Sequence, residues 1–439
     1  MKLNIFKYSF FLLLPFLFIS AGAQENLSLA GAIKKGLENN YQIKITESSL
    51  EIAKNNNSWG QAGLFPSLSL NAFQSNRYDE GPNQLTGVVQ EYNTNILSPA
   101  ISMNWLLFGG FAVQMSKKNL ALLEENSEST TALVVENTIQ AIILAYYKVL
   151  MEEEKLDILE VIMTLSRDRF NYMQAKKDLG SAVTYDVLQA QNAYLSDSST
   201  FLLQQMAVRT ANMNLNLLMA GDAKTIYSLS DEFSNAESTF SFDDLSNNMF
   251  ANNKTLQNQY INQQLLKNNI KLSQSGLYPS LSMSSGYDFA SSRLKYKGLD
   301  AITGDAYDYY VNFSLNFNLF NGGKTRRAIA NARITEDIGN LQLDELKQSM
   351  QIQLTTQYDL YNIRKQLLSV AQENIKSTKL NLDISEEKFK AGAINSFNLR
   401  DIQLLFLNTA FRELEARYNL VQSKTDLLRM SGGIISEYN

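Results

Sequence analysis

The sequence contains no cysteine and no histidine, and only five of its 439 residues are proline. Without cysteine and histidine there is no Ser-His-Asp or Cys-His nucleophile, no His or thiolate zinc site and no disulfide. An enzyme would have to work with carboxylates, Lys, Tyr or Ser alone. Paired carboxylates could serve a glycosidase, but no acidic pair stands out from the helix faces. We therefore predict a protein that is not an enzyme and that uses no cofactor and no metal.

An excess of positive charge is also missing. The chain has 39 Lys and Arg against 44 Asp and Glu, which gives a formal net charge of −5. Nucleic-acid-binding domains carry a basic patch or stripe, so we expect no nucleic-acid partner. Length alone predicts two or three globular domains, an expectation that the repeats described below replace.

The first 23 residues are typical of a secretory signal peptide. Lys2 and Lys7 accompany a short apolar run at 10–19, and Ala21-Gly22-Ala23 provides the small residues of a cleavage site. The run is shorter than the roughly 20 apolar residues that a transmembrane helix needs. We predict that residues 1–23 are removed and that the mature chain lies beyond the inner membrane.

Two parts of the chain repeat one another. The segments GLFPSLSLN at 63–71 and SMNWLLF at 102–108 return as GLYPSLSMS at 276–284 and SLNFNLF at 314–320. A near-constant offset of 212 to 213 residues indicates a duplication. The predicted division is a first repeat at 24–220, a linker at 221–244, a second repeat at 245–431 and a C-terminal tail at 432–439.

Very long stretches of both repeats lack glycine and proline. Between Gly110 and Gly180 lie 69 residues with neither, and the second repeat is interrupted only by Gly339. A helix of that length would span about 100 Å, far beyond an ordinary globular domain. Apolar residues recur every seven positions from Val135 to Phe170, which predicts coiled-coil-like packing. Glu152-Glu153-Glu154 in the same stretch is predicted to be a solvated helix face.

Apolar and polar residues alternate in two further segments, with Leu106 breaking the polar face of the first, and this pattern predicts β-strands. The predicted apolar row consists of Met103, Trp105 and Leu107 in the first repeat and of Val311, Phe313, Leu315, Phe317 and Leu319 in the second. Alternation alone fits a half-buried soluble hairpin or a transmembrane β-barrel. The signal peptide and the aromatic content favour the membrane, with this row facing lipid. The Gly-, Asn- and Tyr-rich segments at 76–95 and 291–310 are predicted to be extracellular loops.

Four strands in one chain cannot close a barrel, and open sheet edges are not tolerated in hydrocarbon. Several chains must therefore pool their strands. The order of helix, GLFPSLSLN, paired strands, LLFGG or NLFNGG, and long helical hairpin, all repeated, resembles the TolC-type outer-membrane efflux proteins.

This resemblance covers the whole mature chain and implies a mixed α and β membrane protein. Long helical hairpins would form a periplasmic α-barrel, and four transmembrane strands per chain would join a β-barrel of a homotrimer in outer-membrane lipid. It also implies an exit duct for small molecules or proteins that docks onto a periplasmic adaptor and an inner-membrane pump or ATPase. The alternative is a periplasmic coiled-coil structural or adaptor protein that never enters the membrane.

The turns between the long helices are the candidate gate. Gly180 and Gly392 are natural helix stops, and in the first turn Asp186 and Gln189 follow. The resemblance implies acidic residues six and nine positions after the second glycine, lining the periplasmic constriction.

Those two positions hold Asn398 and Asp401, so one of the two acidic rings that the resemblance implies is neutral. Three copies of Asp401 would form an anionic ring that favours cations. Asp186 and Asp401 could instead serve only the helix dipole. Arg400 and Arg364 could also pair with carboxylates and lock the turn shut. The sequence does not identify the cargo.

Overall fold

The computed structural model describes residues 26–82, 86–233 and 238–438, and the predicted signal peptide lies outside them. The first half contains β1 (Asn26–Leu27), α1 (Leu29–Asn39), α2 (Tyr41–Asn56), β2 (Ser67–Pro82), β3 (Val89–Gly109), α3 (Ala112–Asp178) and α4 (Thr184–Leu218). The second half contains β4 (Ser228–Leu229), α5 (Phe242–Asn252), α6 (Lys254–Gln274), β5 (Ser280–Tyr296), β6 (Ile302–Asn316), α7 (Lys324–Lys390), α8 (Ser396–Met430) and α9 (Ile434–Tyr438). Both halves thus have a helix pair, a β-hairpin and a long helical hairpin.

The long helices have the same lengths in the two halves. α3 and α7 contain 67 residues each, and α4 and α8 contain 35 each. Gly180 and Gly392, both at φ 75°, end the first helix of each hairpin in the left-handed conformation that glycine adopts without steric cost. The helical hairpins predicted from the scarcity of glycine and proline are confirmed.

The helices form a wall in which α3 packs on both α4 and α8, and α7 packs on α8. α6 lies against α3 and α7. The main core contains Ile142, Tyr146 and Val149 of α3, packed with Leu215 of α4 and Val421 of α8. One stretch of α3 is apolar enough to cross a bilayer by composition, but it belongs to a helix that is packed on several neighbours.

The acidic run at 152–154 does not form a wholly solvated face. Glu152 is buried because α4 packs there, and its carboxylate accepts hydrogen bonds from Lys148 at 2.7 Å and from Gln204 at 2.6 Å. Burial of the two neighbouring carboxyls raises the pKa of Glu153 and of Glu154. The prediction of a solvated face is therefore wrong for Glu152.

The helix pair that opens each half is broken at an asparagine, Asn40 in the first and Asn253 in the second. Each side-chain oxygen accepts a backbone N–H in the first turn of the following helix, which is an N-cap. Each side-chain amide also donates to a carbonyl at the end of a long hairpin, Leu218 at 2.8 Å and Met430 at 3.0 Å. The duplication therefore extends to individual hydrogen bonds.

The four long strands form one antiparallel sheet in the order β2-β3-β5-β6. Val311, Phe313 and Leu315 lie on one face of β6, and Met103 and Trp105 continue that face on β3 through the register with β5. This face is called the apolar face below.

Three residues of the predicted apolar row are placed differently. β6 ends at Asn316, so Phe317 and Leu319 lie beyond the strand. Leu106 pairs with Ser282 and Phe108 with Leu281, which makes Leu107 the extra residue of a β-bulge and puts Phe108 on the apolar face.

The segments predicted to be long extracellular loops are largely strand. β2 and β3 pair without interruption from Ser67 to Pro82, and β5 and β6 pair from Ser280 to Leu294. The loop prediction failed because backbone pairing stabilises Gly and Asn, which disfavour strands on their own. Side chains add to this pairing, as in the contact of the Tyr92 and Tyr296 rings at 5.3 Å.

The segment between the repeats crosses the middle of the helical wall. Its strand β4 pairs with β1, and Asp231 accepts a hydrogen bond from Tyr146 of α3 at 2.6 Å. Arg417 of α8 donates to the carbonyl of Phe233 at 3.1 Å, and Tyr361 of α7 donates to that of Ser238 at 2.7 Å. After α8, the tail folds back as α9.

Candidate functional site

The candidate gate lies at the two turns that join the long helices, at 179–183 and 391–395. Both turns are at the opposite end of the rods from the sheet. Asn395 caps α8 by accepting the backbone N–H of Asn398 at 2.9 Å, whereas α4 has no side-chain cap. The free amides at the start of α4 leave a partial positive charge beside Asp186.

The structure separates the four polar residues predicted at the tips into two groups. Asn398 and Asp401 are exposed, and Asp401 forms no ion pair with any other described residue. Asp186 is half-buried in the first turn of α4, and Gln189 donates to the hydroxyl of Tyr185 at 3.1 Å. Only Asp401 is thus an exposed, unpaired carboxylate.

Arg400 is locked to a carboxylate, but that carboxylate lies outside both turns. Its guanidinium donates two hydrogen bonds of 2.7 Å to Asp197 of α4, and the hydroxyl of Ser166 of α3 donates to the same carboxylate. The side chains of Arg400 and Asp197 are only 17% and 7% exposed. This buried, bidentate pair joins the two helical hairpins of the chain.

A second arginine lies beside this pair. Arg169 is buried, donates to the carbonyl of Ser396 at 3.3 Å and leaves its Nε without a partner. Burial, together with the nearby positive charge of Arg400, lowers the pKa of Arg169 to about 10. Arg169, Arg400, Asp186 and Gln189 line one cavity of about 50 Å³. Asp186 therefore lines the same cavity as two arginines of its own chain.

Arg364, the other predicted lock, is not at the turn. It lies well inside α7 and donates to the carbonyl of Asn419 in α8 at 2.7 Å. Burial lowers the pKa of Arg364, and Asp426 opposes that shift. The prediction that Arg364 locks the turn is therefore wrong, because the residue holds α7 to α8 far above the tip.

The tips also expose apolar side chains. Leu179, Val183, Tyr185 and Phe397 are all exposed, and the rings of Tyr185 and Phe397 approach to 6.4 Å across the two hairpins. Large exposed apolar patches on folded proteins mark interaction sites. Within the described ranges, no group of three acidic side chains could hold a metal ion.

The residues that sequence reasoning missed are Asp197, Ser166 and Arg169. None of them belongs to a motif or lies in a turn, and the first two are more than 200 residues from Arg400 in the sequence. The only sequence signal was Arg400 itself, an arginine directly beside the predicted acidic position.

Comparisons with known proteins agree with this architecture. A family model described as "Outer membrane efflux protein" matches residues 32–221 and again 245–433. The outer membrane protein TolC of Vibrio cholerae serotype O1 is 21% identical over 413 residues, covering 93% of this chain and 91% of that protein.

Solved channel structures have the same fold at low sequence identity. CusC superposes with a TM-score of 0.72 at 15% identity, with 92% of each chain covered. The CmeC outer membrane channel of Campylobacter jejuni superposes with a TM-score of 0.71 at 15% identity, covering 92% of this chain and 85% of that one. The family match covers both repeats and favours the channel over the periplasmic coiled-coil alternative. The chain belongs to the outer membrane efflux protein family.

Proposed function

We propose that three copies of this chain form a tube that carries cargo from an inner-membrane pump across the periplasm and the outer membrane. The observation that carries the proposal is that both the sheet and the helical wall of one chain present surfaces that are suited to a further copy. Among the described residues, the sheet has two open edges, and two helices expose apolar rows that no other described element covers.

The directions of the edge strands allow the sheet to continue onto another copy. β2 and β6 are the edge strands, and three antiparallel pairings make them run in opposite directions. β6 of one copy can therefore continue the antiparallel sheet onto β2 of the next. Unpaired backbone groups are too costly in hydrocarbon to remain open, so the edges favour a closed barrel.

The exposed apolar residues of α4 and those of α7 lie at matching distances from the turns at the tips. Leu188 and Leu202 of α4 lie 8 and 22 residues after Gly180, and Ile384 and Val370 of α7 lie 8 and 22 residues before Gly392. All four side chains are about half exposed or more. Because every helical residue rises by the same amount, the row on α4 meets the row on α7 of the next copy.

Trimer formation is tested with Leu202→Glu and its matched control Thr200→Glu, which adds the same charge on the other face of α4. We expect Leu202→Glu to lose the trimer, because a carboxylate replaces buried apolar surface in each of three contacts. Thr200→Glu keeps it. Light scattering of the detergent-solubilised protein measures the mass. A trimeric Leu202→Glu protein would contradict the proposed contact.

The tip residues suggest where the tube is gated. In a trimer the exposed Asp401 side chains form a ring of three carboxylates, which favours cations. Asp401→Asn should therefore lower cation selectivity, seen as a reversal potential closer to zero in planar bilayers under a salt gradient. Glu47→Gln removes an equal charge from α2 and should leave the potential unchanged. An unchanged potential in Asp401→Asn would remove Asp401 from the gate.

The exposed apolar tips support a protein partner. A periplasmic adaptor that seats on Leu179, Val183, Tyr185 and Phe397 would cover them and connect the tube to the pump. Leu179→Glu should then abolish efflux in a deletion strain while the trimer still forms. Full drug resistance with this variant would show that the adaptor does not seat there.

A further inference from the structure

The apolar face of the sheet ends within one row of the same height on all four strands. On β5 it runs from Leu281 to Phe289, and Tyr307 lies opposite Phe289 on β6. In the next row of the same face, Gln74, Ser291 and Asp305 are polar and only Leu97 of β3 is apolar, and the row after that is polar on all four strands. The apolar row of β5 therefore covers nine residues of a 17-residue strand.

Aromatic rings mark this upper limit. Tyr287 and Tyr309 approach to 4.7 Å between ring centres, and Phe289 and Tyr307 approach to 5.3 Å. These pairs lie in the last two rows before the face becomes polar. Amphipathic rings are enriched at the boundary between hydrocarbon and headgroups.

A second aromatic group marks the lower limit, where the strands meet the long helices. Phe111 packs edge-on against Phe108 at 5.3 Å and against Tyr278 at 5.6 Å. The indole of Trp105 donates to the carbonyl of Leu64 at 2.8 Å. Beyond the end of β6, the side chains of Phe317, Leu319 and Phe320 are 52%, 88% and 85% exposed.

The distance between the two aromatic groups fits a bilayer. Nine residues fall in the range of roughly 9–11 that a transmembrane strand needs. From Tyr278 to Phe289 the chain rises about 26–30 Å along the membrane normal, at about 3.3 Å per residue and the usual tilt of 35–45°. The apolar band of membrane barrels is about 25 Å tall.

The second row of this face above the aromatic pairs is polar on all four strands. The apolar face there carries Asn76, Asn95, Arg293 and Thr303. An ion pair between Lys297 and Glu91, at 2.9 Å, also lies beyond the rows. Charged side chains are expensive in hydrocarbon, so this region is outside it.

Building on the proposed channel, we propose that the hydrocarbon of the outer membrane covers only the part of the sheet between the two aromatic groups. Tyr307 marks its outer boundary, and Phe317, Leu319 and Phe320 mark its periplasmic boundary. The remaining seven residues of β5 after Phe289 form a barrel extension that stands in the headgroup layer and beyond.

The absence of cysteine makes a direct test possible, because a single introduced cysteine is the only labelling site. Spin labels are attached to Val311→Cys inside the proposed band and to Thr303→Cys above it, both on the apolar face. Asn312→Cys is the matched control, since it lies at the height of Val311 on the opposite face. Phe313→Cys replaces Val311→Cys if that variant does not assemble.

Each full-length trimer is placed in phospholipid vesicles, and collisions with oxygen and with a water-soluble nickel chelate are compared. We expect the label at Val311 to be reached by oxygen and to lose contact with nickel. Labels at Thr303 and at Asn312 should be reached by nickel. Loss of nickel contact at Thr303 would overturn the proposed outer boundary while leaving the channel intact. Nickel contact at Val311, Thr303 and Asn312 alike would overturn the membrane insertion itself.

Discussion

Two junctions between helical hairpins are equivalent by duplication but differ in chemistry. Within the chain, Arg400 of α8 meets Asp197 and Ser166 of the first hairpin in a buried ion pair. At the offset of 212, these residues correspond to Leu188, Thr409 and Thr378, which belong to the junction that the proposed tube forms between chains. The first junction is ionic and already closed, and the second is neutral, with Leu188 exposed.

The difference indicates that the same hairpin packing can make either a fixed junction or one that allows movement. A bidentate Arg-carboxylate pair has a fixed geometry, so it holds the two hairpins of one chain in one register. Apolar contacts are not directional and tolerate sliding. We infer that movement at the tips occurs mainly between chains, where no ion pair has to break.

The largest effect on stability is expected when Arg400 of the ionic junction is replaced by leucine, the residue at the corresponding position of the neutral junction. Arg400→Leu removes the bidentate partner of the buried carboxylate of Asp197, which should cost about 3–5 kcal/mol of stability. Thermal unfolding followed by circular dichroism of the trimer measures it. The double variant with Asp197→Thr, which gives both members of the ion pair the residues of the neutral junction, should recover most of the loss.

The control for this variant is an exposed ion pair of the same rods. Glu373 and Lys376 are 2.6 Å apart with side chains 72% and 71% exposed, so Glu373→Gln should change stability by less than about 1 kcal/mol. If Arg400→Leu is as mild as this control, the ion pair does not hold the junction.

A second asymmetry predicts a pH dependence. Glu136 is buried in α3 with one carboxyl oxygen unpartnered, whereas its counterpart Gln348 is exposed. Burial raises the pKa of Glu136 to about 7, against the opposing charges of Lys254 and Arg429. Because the folded state binds this proton more tightly than the unfolded state, stability should fall as pH rises from about 4.5 to 7.

Glu136→Gln places in the first repeat the glutamine found at position 348 of the second repeat. This variant should lose the dependence of stability on pH. The expected gain at pH 7.5 is about 1–3 kcal/mol, with little change at pH 5. Unfolding temperatures at the two pH values, compared with those of the parent protein, check it. A variant with the parent's full pH profile would show that Glu136 is not the responsible group.

The smallest effects are expected where the repeats remain alike. Asn40→Ala and Asn253→Ala each remove an N-cap and a hydrogen bond to the end of a long hairpin, and each should cost about 1–2 kcal/mol. The two sites are in separate repeats, so the losses should add in the double variant. Clearly unequal losses of stability in the two single variants would show that the equivalent asparagines no longer contribute equally to stability.

Sequence reasoning was most successful for the long helices. Few residues other than glycine and proline end a helix decisively, so Gly110 and Gly180 closely bounded α3, and Gly323 and Gly392 closely bounded α7. The β-hairpins were underestimated because residues such as Asn and Gly pair through their backbones, and a sequence pattern does not reveal backbone pairing. Leu107 shows the same limit, since one bulge changes which residue takes the apolar face.

The candidate site was only partly predictable. Gly180 and Gly392 located the turns because their conformation is a local property. The partner of Arg400 was not local, because α4 brings Asp197 to it from 203 residues away. Packing between distant helices decides which carboxylate is near enough, and no spacing rule within one helix contains that information.

The open sheet edges and the uncovered rows on α4 and α7 also bear on how the protein matures. A single chain leaves the edge strands of its sheet unpaired and exposes leucines that the next copy would cover in the proposed tube. Completion of the fold and association are then one equilibrium, whose position depends on chain concentration. Newly secreted chains are therefore most vulnerable to proteolysis when they are scarce, and the cell gains stable channels only where export delivers several chains to the same place.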